Sequence, residues 1–426
     1  MRIFFVNRYF YPDHSATSQM LTDLVFALAK RGHVITVVTS RLSYDDPLAR
    51  LPKRELIDGV DVIRVATTGF GRGGLAGRAI DYLTFYLAAA WALLLKARRG
   101  DVIVAKTDPP LLSLVTMPVA WLRSARSVNW LQDIYPEVAT ILGLGGGRFR
   151  SGLLAVLRWW RDRALPRAAL NIAIGERMAE ALGRMGVPAG RIRVVPNWAD
   201  GRLVRPIPVG ESALRREWGL EDAVVVGYSG NLGRAHDAET ILAAIGQTEG
   251  KVVQQRELAR VANGVTQMQA MEKPLAWLFV GGGAQLERLK SESRQRGFLN
   301  VHFQPYQPRE RLAESLSVPD IHLISLRPAL EGLIVPSKYY GIAAAGRPAI
   351  FIGDPDGEIG RILSATGTGV VVAEGDGAGL AQAVRRLAED PDLRKEMGRR
   401  ARGLFEAQYD VSFAVDAWED VVSRFP

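Results

Sequence analysis

Met1-Arg2-Ile3-Phe4-Phe5-Val6-Asn7 opens the chain, and Gly32-His33-Val34-Ile35-Thr36-Val37-Val38-Thr39 follows one helix-length stretch later. Both apolar runs are rich in β-branched and aromatic residues and too short for helices, so each reads as a strand buried on both faces. Between them Leu21, Leu24, Val25 and Leu28 recur at helical spacing. Strand, amphipathic helix and strand within forty residues make a βαβ unit, whose strands run parallel. The predicted fold class is α/β, built on a doubly wound, mainly parallel sheet.

Working outward, buried strands are predicted at Val60–Val65, Val102–Ala105 and Ser127–Leu131, separated by helix-length sequence. Near Arg193-Val194-Val195-Pro196-Asn197 the chain enters a proline-bearing stretch running past Pro206 and Pro208. The alternation restarts at Val224–Tyr228 and continues through Leu275–Val280, Val301–Phe303, Ile321–Ser325, Ala349–Ile352 and Gly369–Val372. A chain of 426 residues exceeds what one core usually serves, so two domains of the same class are expected, 1–195 and 196–404. A closing helix over about 405–426 is expected to return to the first domain. Residues 248–273, polar and rich in Gln and Arg, read as a solvated helical insertion.

Apolar residues make up 48% of the sequence, and 43 glycines and 22 prolines fall at loop-like intervals, as in folded globular proteins. With no cysteine, disulfides, thiolate metal sites and cysteine nucleophiles are excluded. The start lacks the zones of a signal peptide. The longest apolar run, Tyr82–Leu95, falls short of the ~20 residues of a membrane span, so no transmembrane helix is predicted. Residues 1–200 carry 27 Lys and Arg against 16 Asp and Glu, and residues 201–426 carry 27 against 29, so the net charge of +9 belongs to the first half. The excess adjoins tryptophans and aliphatic runs, which points to an anionic membrane surface and away from nucleic acid. One segment holds Tyr82, Phe85 and Trp91 ahead of Lys96, Arg98 and Arg99; a second holds Trp159 and Trp160 among Arg158, Arg161, Arg163 and Arg167. The alternative is that both are core helices.

In open α/β sheets ligands bind beyond the carboxyl ends of the strands, so residues just after each strand are the candidates. In Pro12-Asp13-His14-Ser15-Ala16-Thr17-Ser18, either His14, Ser15, Ala16 and Thr17 meet a diphosphate or acceptor, or Ser15 or Thr17 caps the next helix. The segment has no G-x-G-x-x-G, which argues against a dinucleotide cofactor. Tyr228-Ser229-Gly230-Asn231-Leu232-Gly233-Arg234 keeps its backbone bare at Gly230 and Gly233 and offers the Arg234 fork to phosphate. In Glu331-Gly332-Leu333-Ile334-Val335-Pro336-Ser337-Lys338, Pro336 suits a first helical turn and leaves Ser337 and Lys338 for phosphate. The alternative there is a structural loop with a solvated lysine. Gly353-Asp354-Pro355-Asp356-Gly357-Glu358 reads as a turn, and no metal is expected.

Taken in order, Lys30-Arg31-Gly32-His33-Val34, Gln132-Asp133-Ile134-Tyr135-Pro136-Glu137, Val195-Pro196-Asn197-Trp198, Tyr228 to Arg234, Pro336-Ser337-Lys338 and Ala344-Ala345-Gly346-Arg347-Pro348 resemble family 4 glycosyltransferases of the GT-B fold. The likeness is strongest to the bacterial subgroup that builds exopolysaccharide, O-antigen and colanic-acid repeat units. It implies two Rossmann-like domains facing across a cleft, and transfer without metal or cofactor and with retention of configuration. The implied donor is a nucleotide sugar, UDP-linked by default, carrying a hexose or N-acetylated hexosamine. The implied acceptor is polyprenyl-diphosphate-linked or otherwise lipid-anchored, at the cytoplasmic face of the bacterial inner membrane. The resemblance puts the donor on the second domain, at Gly230, Asn231, Gly233, Arg234, Gly281, Tyr306, Glu331, Leu333, Ile334, Ser337, Lys338 and Glu358. Arg234 and Lys338 would stabilise the departing diphosphate. Asp133, on the first domain, would orient or polarise the acceptor hydroxyl; the alternative is a buried cap for the Tyr135-Pro136 turn.

Two glutamates of the family pattern align with Leu333 and Gly341 and are both missing, so Glu331 or Glu358 is expected to replace the one that binds ribose. Asn231 stands where the wider family has a basic residue, which shifts the phosphate role to Arg234. A non-catalytic nucleotide-sugar-binding scaffold and a GT-B-fold sugar-nucleotide epimerase are the other readings. The first rests on the lost glutamates; the second needs no lipid surface.

Overall fold

The computed structural model describes residues 1–13, 15–43, 46, 50–71, 74–143, 148–249 and 273–425. His14 and most of the expected insertion at 248–273 therefore lie outside the described residues. The chain divides into two compact units: Met1–Pro196 with Gly332–Val335 and Val411–Pro426, and Asn197–Glu331 with Pro336–Asp410.

The first unit holds strands β1 (Arg2–Val6), β2 (Val34–Ser40), β3 (Arg54–Ile57), β4 (Val60–Val65), β5 (Val102–Lys106), β6 (Arg126–Trp130), β7 (Leu170–Ala173) and β8 (Ile192–Val194). They form one sheet in the order β3-β4-β2-β1-β5-β6-β7-β8, parallel except where β3 pairs antiparallel with β4. The sequence reading missed β3, β7 and β8. β3 is an edge strand without a buried run, and β7 and β8 are too short to show a period. Its helices are α1 (Ala16–Lys30), α2 (Leu75–Lys96), α3 (Ser113–Leu122), α4 (Glu137–Ile141), α5 (Arg148–Ala164), α6 (Glu176–Arg184) and, last in the chain, α15 (Val411–Ser423). Gly32, at φ 90°, ends α1 in the left-handed conformation that glycine adopts without steric cost. Arg31 beside it binds Asp416 and Glu419 of α15 at 2.5 and 2.6 Å, while Trp418 lies 4.8 Å from Trp130 and 5.8 Å from Phe5. The Arg31-Gly32-His33 motif thus serves as the dock of the last helix.

Helix α2 has 22 residues, and its Ala76–Lys96 portion is long and apolar enough to pass as a membrane span by length and composition alone. Its inner face is core: Phe85, Ala89 and Leu93 are fully buried with Phe4, Val38 and Ile103 of the sheet. Phe85, expected at a membrane, is corrected to a core residue. The opposite face, Leu83, Leu87, Trp91 and Leu95 at four-residue spacing, is exposed.

In the second unit β9 (Val224–Asn231), β10 (Leu275–Gly282), β11 (Val301–Gln304), β12 (Ile321–Ser325), β13 (Ala349–Ile352) and β14 (Gly369–Val372) form an all-parallel sheet in the order β11-β10-β9-β12-β13-β14. Its helices are α7 (Ala213–Glu217), α8 (239–249), α9 (Ala284–Gln295), α10 (Leu312–Ser317), α11 (Lys338–Ala344), α12 (Glu358–Thr366), α13 (Gly377–Glu389) and α14 (Pro391–Gln408). Tyr228, Trp277, Phe279 and Leu323 fill the core on one side of the sheet.

Both sheets have a point where the strand order reverses. β1 lies between β2 and β5, and β9 between β10 and β12. Crossovers leave in opposite directions there and open a crevice at the carboxyl ends of the strands, where ligands of doubly wound sheets bind.

Candidate functional site

In the second unit the crevice is floored by glycine. β9 and β10 stay paired to their last residues, Gly230 opposite Gly281 and Asn231 opposite Gly282. The expected loop at Gly230-Asn231 is therefore the end of a strand. Gly230 has φ 110°, and a Cβ there would stand 3.0 Å from Lys338 Cε; a Cβ on Gly281, at φ 132°, would run into the Gly230 carbonyl. The bare backbone lets Lys338 lie across the strand end. Its Nζ donates to Asn231 O at 3.3 Å and sits 4.9 Å from the Tyr228 ring centroid. Tyr228 Oη donates to the same carbonyl at 3.0 Å. No carboxylate pairs with Lys338 among the described residues, and burial pushes its ammonium down to about 8. His236 Nδ1 donates to Ser325 O at 2.6 Å; burial and the Lys338 charge hold its pKa down to about 4, so the ring is neutral near pH 7.

Arg234 lies in the turn after β9, exposed, with no bond to its guanidinium among the described residues. Ser337 is exposed at the start of α11 and its side chain caps nothing. Tyr306 stands against Gly282, so that a Cβ there would be 3.3 Å from its ring. A mobile point charge, a planar fork and bare amides at one strand end can hold a diphosphate.

The two candidate ribose carboxylates are neighbours. Glu331 accepts the Glu358 amide at 3.2 Å and so caps α12, and Gly357 leaves room for it, since a Cβ there would overlap its carboxylate. Glu331 is committed to the helix end, and Glu358 stands beside it as the first residue of α12. Leu333 and Ile334, expected as donor contacts, belong instead to the first unit: Leu333 O accepts from Ile134 N at 2.9 Å, and Ile334 bridges Asp133.

In the first unit the crevice residues come from β1, β5, β6 and the start of α1. Ser15 Oγ accepts from Ser18 N at 3.4 Å, which makes Ser15 the helix cap; the small Ala16 follows it. Thr17 turns its carbonyl to Lys106 Nζ at 2.8 Å and its hydroxyl to Asp108 at 3.5 Å. Lys106 lies 3.8 Å from the Trp130 ring centroid, and burial pushes it well below the usual lysine range. Arg8, also buried, meets Asp81 at 3.3 Å and donates its amide to Asp108 O at 2.7 Å. Burial first, then the charge of Asp108, push Asp133 up to about 6; burial likewise raises Asp108 to about 6, against Arg8. The Asp133 carboxylate accepts no hydrogen bond from the Tyr135-Pro136 turn among the described residues, so it is not that turn's cap.

The turn is held from elsewhere. Arg161 donates to Tyr135 O at 3.0 Å and, through both terminal nitrogens, to Glu137 at 2.8 and 2.5 Å. Arg161, expected to face lipid, is corrected to a buried clamp behind Asp133, because its helix turns it inward while Arg163 faces out and covers Trp159 at 3.6 Å. The reading of the sequence missed Arg8, Lys106 and Asp108, and gave no role to Tyr228 and His236 although both belong to the stretch it singled out around the end of β9. The signal for two of them was present: Lys106-Thr107-Asp108 directly follows a predicted strand.

Two doubly wound α/β domains, each with a polar site at its switch point, define the GT-B class. The chain belongs to the family 4 glycosyltransferases: residues 16–198 match the glycosyl transferase 4-like domain, and residues 212–404 match glycosyl transferases group 1. Among relatives it is 26% identical over 394 residues to WbjE of Pseudomonas aeruginosa, a probable glycosyltransferase, covering 91% of this chain and 90% of that one. It is 25% identical over 374 residues to WcaI of Escherichia coli K12, named for colanic acid biosynthesis, covering 85% and 86%. The solved structure of HepE from Anabaena in complex with UDP-glucose superposes with a TM-score of 0.69 at 16% identity, over 100% of both chains.

Proposed function

We propose that this enzyme transfers a hexose or N-acetylated hexosamine from a UDP-sugar to a lipid-anchored acceptor during assembly of a bacterial surface polysaccharide, with retention and without a metal. The observation that carries the reading is Lys338, an ammonium that no carboxylate neutralises among the described residues, laid over the bare end of β9. Relatives named for colanic acid biosynthesis and for UDP-glucose binding support the substrate classes. Lys338 and Arg234 take the charge that develops as the C1–O bond to the diphosphate breaks, Glu358 holds the ribose, and Asp133 orients the acceptor hydroxyl. Incubation with a radiolabelled UDP-sugar and a polyprenyl-diphosphate sugar tests it. Label should enter butanol-soluble lipid, persist in EDTA and show the donor's anomeric configuration by NMR. Binding without turnover would favour a scaffold, and release of free epimerised UDP-sugar an epimerase.

Glu358→Gln should weaken UDP binding about tenfold, the loss of a charged hydrogen bond worth roughly 1.5–3 kcal/mol. Glu331→Gln keeps a capping oxygen on α12 and should alter affinity much less. Calorimetric titration reads both, and unchanged affinity in Glu358→Gln removes the ribose role.

The acceptor's lipid anchor calls for a surface, and the first unit offers one. Helix α3 packs against both α2 and α5. Trp91 of α2 is 64% exposed, Trp121 of α3 79% and Trp160 of α5 57%, with Leu83, Leu87, Leu95, Leu122, Leu153, Val156 and Trp159 also open to solvent. Exposed Lys96, Arg98, Arg99, Arg123 and Arg163 lie at the ends of these helices. Apolar side chains flanked by cations suit an anionic interface, with each cation contributing ~1 kcal/mol. The chain should co-sediment with anionic liposomes, less so in high salt, and Leu87→Glu with Trp91→Glu should abolish it. A salt-insensitive failure to bind any vesicle would overturn peripheral attachment at the cytoplasmic face.

A further inference from the structure

At the amino ends of β9, β10, β12 and β13, the opposite edge of the second unit's sheet from Lys338, lies a hollow of about 1060 Å³ bordered by α13, α14 and the 206–209 segment. Among the described residues eight cationic side chains line it against two carboxylates, Asp320 and Glu389. Arg215 takes up Asp320 at 2.9 Å. Arg402 also pairs with Glu406 at 2.7 Å, and at the rim Lys395 pairs with Asp392 at 3.6 Å and Arg399 with Glu396, all three carboxylates lying outside the lining of the hollow. The guanidiniums of Arg347, Arg385 and Arg394 are fixed by neutral groups, as is the far side of Arg402. Arg347 donates to Ile207 O and Ser317 O at 2.9 and 2.7 Å, Arg402 to Val204 O at 3.0 Å, Arg385 to Gln247 O at 2.6 Å and Arg394 to Ala388 O at 2.8 Å. A carbonyl orients a guanidinium without cancelling its charge. Several of these carbonyls close helix ends, a stabilising role for arginine in itself. That role explains where each side chain points. It does not require Arg347, Arg385 and Arg394, none of them paired with a carboxylate among the described residues, to converge with Lys273 on one hollow, an arrangement that costs self-repulsion unless an anion enters.

We propose that this hollow is a second anion site, for a soluble phosphorylated small molecule carrying at least two negative charges. Pre-oriented guanidinium forks match phosphate oxygens, and the volume is that of a small-molecule site. Pro206, Pro208, Val224 and Leu275 add an apolar wall for the organic part of the ligand.

Inorganic triphosphate is the probe, titrated calorimetrically into the full chain. Lys338→Ala removes the principal cation of the donor crevice, and Lys395→Glu with Arg399→Glu reverses two side chains at the rim of the hollow, each more than three-quarters exposed, so the fold survives. Lys338→Ala should still bind one equivalent. Adding the rim pair should weaken that binding at least tenfold, with thermal melts confirming a folded chain. The proposal is overturned if the wild type binds none, if Lys338→Ala abolishes all binding, or if the rim pair leaves affinity unchanged.

Discussion

Lys338→Ala and Arg234→Ala should each lower turnover by a hundredfold or more while leaving the fold intact. Removing a single preorganised donor to developing charge costs about 10²–10³ in rate, or roughly 2.7–4 kcal/mol. Neither side chain is an asset to stability. Arg234 is exposed, and Lys338 carries a desolvated charge whose loss leaves Asn231 O still bonded to Tyr228 Oη. Burial brings Lys338 to about 8, which gives this prediction a pH signature. Below that value the ammonium is charged and attracts diphosphate; as pH rises through it the proton leaves, so donor affinity should fall on the alkaline side. A bound diphosphate draws the pKa back up, so the limb belongs in kcat/KM, which reports the free enzyme. Near-normal turnover in both variants would remove the assignment of these cations to the leaving group.

Asp133→Asn should bind donor normally yet transfer at least a hundredfold more slowly, the scale on which a positioned carboxylate acts. Its elevated pKa, about 6, means that it is protonated in acid and ionises as pH rises. The ionised form is the stronger acceptor for a hydrogen bond from an acceptor hydroxyl and the one able to draw off its proton, so kcat/KM should climb through about pH 6. With the Lys338 limb near 8, the optimum lies between the two. Asp108 supplies a control with a definite sign. Its charge raises Asp133, so Asp108→Asn should move the acid limb to lower pH. An Asp133→Asn enzyme that transfers at the normal rate with an unshifted acid limb would reduce Asp133 to a structural residue.

Much of the proposed donor site was legible because its chemistry is local. Gly230 to Arg234 and Pro336 to Lys338 are contiguous runs placed after predicted strands, and the post-strand rule needs only sequence order. That rule could not say that Gly230 and Asn231 remain paired, because pairing depends on β10, more than forty residues on. In the first unit the position of Asp133 after a strand followed from the same rule. Its neighbours Lys106 and Thr17, 89 residues apart, did not.

The sequence by itself determined the α/β class, the run of strands, the asymmetry of charge and the family, because these follow from periodicity, composition and short ordered motifs. Tertiary structure decided which face each side chain takes. Arg158, Arg161 and Arg163 look alike on paper, yet Arg163 faces out, Arg158 meets Glu137 at 3.0 Å from the exposed side, and Arg161 is buried against the same carboxylate 24 residues away. Leu333 and Ile334 join Asp133 because their amides and carbonyls find partners beside β6, outside the unit that flanks them in sequence. Periodicity reports that a helix or strand has an inner face. What that face meets is fixed by contacts between segments distant in the chain, where packing and hydrogen-bond satisfaction override local pattern.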